Sequence, residues 1–371
     1  MRILQLATHL NAGGVARYIV SLSRHLTLRG HKVSVASSGG DMEGELEEAG
    51  IPHLKLDIRT KSELSPRIPL ALLRLIPFIK SEGVELIHSH TRVTQVTGAI
   101  LSRLTEKAYV STCHGFFKER LGRRLFGCWG KPVIAISRAV KSELIERFGV
   151  DDKDVELVYT GVEDKDLGGP VTVEKREACR RRFGISLAYV VGTVGRLSPV
   201  KGQGLLLEVL SGLKDKRDDI LLMLAGDGPE KKRLLKKAAD LGISDRVRVV
   251  CGAADVGGIL ECMDVFALPS VEEGLGLALA EAMAKGIPCV ASRVGGIEDL
   301  IKDGYDGILA EPNDLKGFSH AIEKLLNNDQ EVRKMAGRAR EKIKNEFNME
   351  KMLEGIERAY YRALHKKEDT A

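Results

Sequence analysis

Asp264-Val265-Phe266-Ala267-Leu268-Pro269 leads into Ser270-Val271-Glu272-Glu273-Gly274-Leu275-Gly276-Leu277-Ala278-Leu279-Ala280-Glu281-Ala282-Met283-Ala284. The first run reads as a short buried strand ended by proline, and the last as an apolar helix from about Leu275 to Lys285. The unit is strand, loop, helix, with Glu273 in the loop and Glu281 expected two turns into the helix. A helix N-terminus offers unpaired backbone N–H groups, and Gly274 and Gly276 let a ligand approach that backbone closely. Such a loop donates from backbone and accepts with carboxylates, which suits a polyhydroxylated ligand bearing phosphate. Glu273 alone reads equally well as a dipole partner in a first helical turn. Glu281 is different, because its flanks are apolar almost all round and a carboxylate there needs a partner.

Alternation of this kind runs the length of the chain. Ile3–Ala7, Val33–Ser37, Leu86–His88, Tyr109–Thr112, Val133–Ile136 and Glu156–Tyr159 are short Val/Ile/Leu-rich strands with helical patterns between them. Composition shifts at Glu163–Pro170, a polar stretch that reads as an interdomain link. A second series follows at Tyr189–Val194, Ile220–Ala225, Val247–Val250, Val265–Leu268 and Cys289–Ala291. Repeated βαβ order predicts parallel sheets, so the fold class is α/β with two doubly wound Rossmann-like domains. Ligands in such sheets bind beyond the carboxyl ends of the strands, and both domains are expected to face one cleft.

Composition narrows the classes further. The 371 residues are 43% hydrophobic and 29% charged, globular values with room for two cores. No apolar run has the length of a membrane span. The first strand starts straight after Met1, which predicts no signal peptide. Six scattered cysteines lack metal or redox spacing, so a reduced cytoplasmic chain is expected. A net charge of +5 permits attraction to anionic substrates or lipid without requiring either, and no nucleic-acid partner is implied.

The segment from Glu273 to Glu281, continued by Ala282-Met283-Ala284-Lys285-Gly286-Ile287-Pro288, resembles the Glu-x7-Glu signature of the family-four retaining glycosyltransferases, which have the GT-B fold. The resemblance implies that Glu273 contacts the donor sugar and Glu281 holds the ribose hydroxyls of a nucleotide-sugar donor. It implies catalysis without a metal or other cofactor, and a glycan or lipid-linked acceptor in cell-envelope polysaccharide or lipopolysaccharide synthesis. By the same resemblance, residues 1–165 form the acceptor-side domain, 166–348 the donor domain, and 349–371 a helix completing the first.

Companion motifs support the resemblance, and each keeps a plainer reading. Asn11-Ala12-Gly13-Gly14 opens the first helix, where N–H groups meet phosphate, although Gly13 and Gly14 alone make only a tight turn. Gly195-Arg196-Leu197-Ser198-Pro199-Val200-Lys201-Gly202 follows a strand, and Arg196 and Lys201 can neutralise a diphosphate or remain solvated loop cations. Gly226-Asp227-Gly228-Pro229 is a turn whose Gly228 the family places beside the base. His114, at a strand end, reads as structural or as the family's active-site histidine near the donor sugar. His88 and His90 read as structural, with no third ligand spaced for metal. Gly295-Gly296-Ile297-Glu298-Asp299 reads as a helix start without chemistry.

Asp152-Lys153-Asp154 and Asp164-Lys165-Asp166 sit in charged connectors and read as solvated turns. Tyr159-Thr160-Gly161-Val162-Glu163 departs from the family's Asn-Gly-Val-Asp. Phe116 to Lys131 mixes Lys118, Arg120, Arg123, Arg124 and Lys131 with aromatics, which fits a segment on an anionic membrane or an ordinary amphipathic helix on the sheet. A peripheral position on the inner face of the cell membrane is therefore an open reading. A sugar-nucleotide epimerase of the same fold and a non-catalytic nucleotide-sugar binding protein also stay open.

Overall fold

The computed structural model describes residues 1–118, 123, 126–163, 169–186, 188–251, 256–327 and 330–368. The chain divides into two compact units, Met1–Thr160 with Glu350–Ala371, and Gly161–Met349. The link read at Glu163–Pro170, Asp164-Lys165-Asp166 and the 165/166 division lie largely or wholly outside the described residues.

The first unit is built on a seven-stranded parallel sheet. Its strands are β1 (Arg2–Leu6), β2 (Lys32–Ser37), β3 (His53–Lys55), β4 (Leu86–Ser89), β5 (Ala108–Cys113), β6 (Val133–Ala135) and β7 (Val155–Leu157). They lie in the order β3-β2-β1-β4-β5-β6-β7. Helices α1 (Gly14–Leu28), α2 (Glu43–Glu48), α3 (Arg67–Ser81), α4 (Arg92–Thr105) and α5 (Arg138–Ser142) connect them. Strands covered on both faces read as continuous apolar runs, and β4 and β6 are buried throughout.

The second unit repeats the plan with six parallel strands. These are β8 (Tyr189–Val194), β9 (Ile220–Ala225), β10 (Val247–Val250), β11 (Val265–Leu268), β12 (Cys289–Ser292) and β13 (Ile308–Ala310), ordered β10-β9-β8-β11-β12-β13. Its helices are α6 (Val173–Arg182), α7 (Gln203–Leu213), α8 (Lys231–Asp240), α9 (Val256–Leu260), α10 (Leu277–Ala284), α11 (Ile297–Leu300), α12 (Leu315–Leu326) and α13 (Gln330–Glu346). Helix α14 (Met349–Glu368) ends the described chain. In each sheet the strand order reverses once, between β1 and β4 in the first and between β8 and β11 in the second. Loops diverge there and leave a crevice at the carboxyl ends of the strands.

Three local features differ from the sequence reading. Helix α10 starts at Leu277, because Gly276 holds a positive φ of 99° as its N-cap. Glu281 therefore sits just over one turn into the helix, nearer the loop than expected. The cysteines are not all reduced: Cys179 and Cys262, 83 residues apart, form a disulfide with their Cα atoms 5.3 Å apart. Packing of α6 against the end of α9 brings them together, and no short spacing announces such a pair. Finally, β3 and β13 are only three residues long and escape the sequence reading. Among the described residues no helix is long and apolar enough to cross a membrane.

Candidate functional site

In the second unit, four loops at the carboxyl ends of β8, β9, β11 and β12 are joined backbone to backbone. Leu197 N donates to Asp227 O at 2.9 Å, and Glu230 N to Leu197 O at 3.1 Å. Val271 N donates to Val200 O at 2.8 Å, and Gly296 N to Glu273 O at 3.0 Å. Such close approach excludes side chains. A Cβ at Gly202 would lie 2.0 Å from Pro269 O, and one at Gly228 2.2 Å from Leu197 O. Gly228 thus holds two loops together, whatever else it touches. Gln203 Nε2 donates to Arg196 O at 2.9 Å, which fixes the backbone of Arg196 and leaves its guanidinium exposed.

Glu273 and Lys201 meet in this cluster. The ammonium of Lys201 donates directly to the Glu273 carboxylate, and Ser270 Oγ donates to the same oxygen at 3.2 Å. Their side chains are 25% and 13% exposed, so the pair is half-buried and screened less than a surface pair. Glu273 Cγ is 3.6 Å from the position of a Cβ on Gly276, which places the carboxylate beside the start of α10. Gly276 offers no side-chain cap, so the first-turn N–H groups of α10 have no acceptor within the helix. Gly274 is half-buried, and the Leu275 side chain is buried at 3% exposure, so only its backbone faces the loop. Glu281 is also 3% exposed, among buried Leu279, Ala280, Ala282 and Met283.

Arg196, Lys201, Gly228, Glu273, Gly274, Leu275 and Gly276 thus belong to one set of interlocked loops, with Glu281 in the helix they feed. The arrangement presents two cations, a helix N-terminus and carboxylates at a topological switch point, a donor set for an anionic, hydroxylated ligand.

Gly13, Gly14 and His114 belong to the first unit. Gly13 is the N-cap of α1 without a side-chain hydrogen bond, and both glycines are exposed. His114 follows β5 and ends a buried polar ladder. Gln5 Nε2 lies 3.2 Å from Tyr360 Oη, which is 2.7 Å from His88 Nδ1, and His88 Nε2 is 2.7 Å from Thr112 Oγ1. His90 Nε2 lies 2.6 Å from Gln5 Oε1, and His90 Nδ1 lies 3.2 Å from His114 Nε2. Donors and acceptors alternate consistently along this chain. With the Gln5 oxygen accepting from His90 Nε2–H, His90 Nδ1 accepts from His114 Nε2–H, so neutral His114 keeps Nδ1 as its acceptor. Tyr18 packs edge-on against His114 with ring centroids 4.6 Å apart. The pattern missed Gln5 and Tyr360, although a glutamine inside the apolar strand Ile3–Leu6 must find a buried partner.

Burial holds His88 and His90 well below the ordinary imidazole range and His114 down to about 3. The unfolded chain therefore binds more protons below pH 6.5, and stability is lost as pH falls from there toward 3. For His114 the expected loss is about 2 kcal/mol between pH 6.5 and pH 5. Urea midpoints measured at the two pH values check this, and equal midpoints would show the imidazoles to be accessible in the fold.

The Phe116–Lys131 stretch lies partly outside the described residues. Among those described, Arg123 is buried and pairs with Glu63 at 2.6 Å, while Phe117 and Trp129 pack on each other and on Phe148. Phe117 and Trp129 are half-buried in this packing. Among the described residues of the stretch, Lys118, Phe126 and Lys131 are exposed, Phe126 at 73%.

Comparison with known proteins bears on the family and the fold. Residues 12–166 match the family described as Glycosyltransferase Family 4, and residues 176–342 match Glycosyl transferases group 1. The chain is 28% identical over 306 residues to the UDP-Gal:alpha-D-GlcNAc-diphosphoundecaprenol alpha-1,3-galactosyltransferase of Escherichia coli, covering 78% of each chain. It is 28% identical over 370 residues to the N-acetyl-alpha-D-glucosaminyl L-malate synthase of Bacillus anthracis, covering 95% of each. Anabaena HepE, crystallised with UDP and glucose, shares the fold with a TM-score of 0.85 at 24% identity, covering 97% of this chain and 99% of that one. The family models between them take in most of both units, and the chain belongs to the family-four glycosyltransferases of GT-B fold.

Proposed function

We propose that this glycosyltransferase is a metal-independent, retaining enzyme. It moves a sugar from a nucleoside-diphosphate sugar to a glycan or lipid-linked acceptor, in cell-envelope polysaccharide or lipopolysaccharide synthesis. The observation that carries the reading is the Lys201–Glu273 pair held among the interlocked loops at the β8/β11 switch point.

In this reading the donor diphosphate takes Lys201 as its counter-ion, with Arg196 forking onto two of its oxygens. Glu273, released from Lys201, accepts from a sugar hydroxyl, and Glu281 accepts from the ribose diol. Backbone N–H groups of Gly274, Leu275 and Gly276 meet the phosphates at the start of α10, and Gly228 lies against the base. In the first unit, Gly13 and Gly14 offer N–H groups to anionic oxygen, and His114 contacts the donor sugar. As the glycosidic bond breaks, negative charge grows on the departing diphosphate, and fixed cations there stabilise the transition state more than the ground state. The acceptor attacks the face that the diphosphate leaves, and a phosphate oxygen takes its proton, so no side-chain base is needed.

The name of one relative supports the donor and acceptor classes, with UDP-Gal and a diphosphoundecaprenol-linked acceptor, while that of another, an N-acetyl-alpha-D-glucosaminyl L-malate synthase, points to a small-acid acceptor. The test is nucleoside diphosphate release from UDP-, GDP- and ADP-sugars, with and without chelator, and the anomeric configuration of the released or transferred sugar by NMR. Release from one base class, insensitive to chelator and with retained configuration, is expected. Inverted product would overturn the retaining mechanism, and loss of release in chelator would overturn metal independence. An altered sugar still attached to nucleotide would identify an epimerase, and binding with unaltered donor a binding protein.

A further inference from the structure

Helix α3 (Arg67–Ser81, RIPLALLRLIPFIKS) is apolar apart from three cations and contains no acidic residue. Its buried face is accounted for by Ile68, Ala71, Leu75 and Ile79, which pack into the first unit's core. The other side is unusual. Leu70 is 62% exposed and Leu73 71% exposed, with Arg67, Pro69, Arg74 and Pro77 exposed around them. Just ahead of the helix Leu64 is 95% exposed, next to exposed Arg59 and Lys61.

This face continues onto the segment after His114. The Arg92 guanidinium donates to Phe126 O at 3.1 Å and pairs with Glu63 at 3.3 Å, and Arg123 pairs with the same Glu63 at 2.6 Å. The exposed Leu64 and Phe126 therefore stand on two segments fastened at one ion-pair cluster. The acidic groups here are already neutralised: Glu63 by two arginines, and Asp57 by Arg67 at 3.2 Å. What remains outward is leucine and phenylalanine set among arginine and lysine.

We propose that this face docks on an anionic lipid bilayer, with Leu64, Leu70, Leu73 and Phe126 entering the headgroup boundary and Arg59, Lys61 and Arg74 lying at phosphate level. Apolar side chains ringed by cations, with the carboxylates of the described residues among them, Glu63 and Asp57, held in ion pairs, complement such a surface in both hydrophobicity and charge. A second copy of the chain fits poorly, because a two-fold contact would oppose each cation with its own kind. The surface belongs to the first unit, and its assignment goes beyond the transfer reaction and does not depend on it.

The experiment is co-sedimentation of the full chain with neutral phosphatidylcholine vesicles and with vesicles about one-third phosphatidylglycerol, at low and high salt. Binding to the anionic vesicles is expected to exceed that to neutral ones by about five-fold or more, and to fall with salt. Leu70→Asp with Leu73→Asp should lower it by at least about five-fold, as should Arg74→Glu with Lys61→Glu. Both pairs are exposed, so unchanged circular dichroism and unchanged vesicle-free nucleotide release confirm an intact enzyme. Equal binding to both vesicle types, no binding, or undiminished binding by the leucine variant would overturn the proposal. So would a concentration-dependent dimer that the leucine substitutions abolish in the absence of any vesicle binding.

Discussion

Lys201→Ala is expected to slow sugar transfer by about 10²–10³-fold, the range seen when one preorganised group is removed from a developing anion. Donor binding should weaken by less, about ten-fold, because the ground-state diphosphate already spreads its charge over several oxygens and other donors remain. The structure explains why this lysine should matter more than a loop cation ordinarily does. Its ammonium rests on Glu273, a carboxylate only 13% exposed, on a loop whose register is set by Gly202 against Pro269 O. In the proposed reading Lys201 is held within the site before any ligand arrives and exchanges Glu273 for the diphosphate on binding, so that little reorganisation is left for the reaction step. Lys201→Arg should recover part of the rate, since charge returns but the broader guanidinium fits the point contact poorly. Turnover and donor affinity measured separately decide the matter, and turnover within two-fold of the parent would reduce Lys201 to a structural partner of Glu273.

Glu281→Ala should weaken donor affinity by about 10²-fold or more, the loss of two charge-assisted hydrogen bonds to a diol. The same change should leave the fold intact. Glu281 is 3% exposed in a helix whose neighbours Leu279, Ala280, Ala282 and Met283 are all buried, and alanine keeps helix propensity there without adding bulk. Calorimetric titration with the donor, paired with thermal unfolding, separates the two effects. Parental affinity for every nucleotide sugar would remove Glu281 from the ribose.

How much of this was visible beforehand depends on distance along the chain. The buried strands of both sheets, such as Tyr189–Val194 and Val265–Leu268, announce themselves as apolar runs between turn residues, and the structure keeps those bounds. The three-residue edge strands His53–Lys55 and Ile308–Ala310 do not, because a run so short shows no periodicity to tell a strand from a loop. In the site, Glu273, Gly276 and Glu281 are legible because one strand–loop–helix carries them all. Lys201 and Glu273 each stand out, but their pairing spans 72 residues and only the sheet order reveals it. The ladder from Tyr360 through Gln5 to His90 and His114 is longer-range still, joining β1 to a helix at the other end of the chain. Cys179 and Cys262 illustrate the same blindness, since unpatterned spacing carries no information about proximity.

In the proposed function the loops after β8, β9 and β11 hold the donor's diphosphate. Hydrogen exchange with and without the nucleoside diphosphate that the chain releases tests it most directly. Protection is expected in residues 195–203, 226–230 and 271–281, and it should fade in Lys201→Ala under the same nucleotide concentration. Protection confined to other segments, or none at a concentration that saturates binding, would contradict the claim.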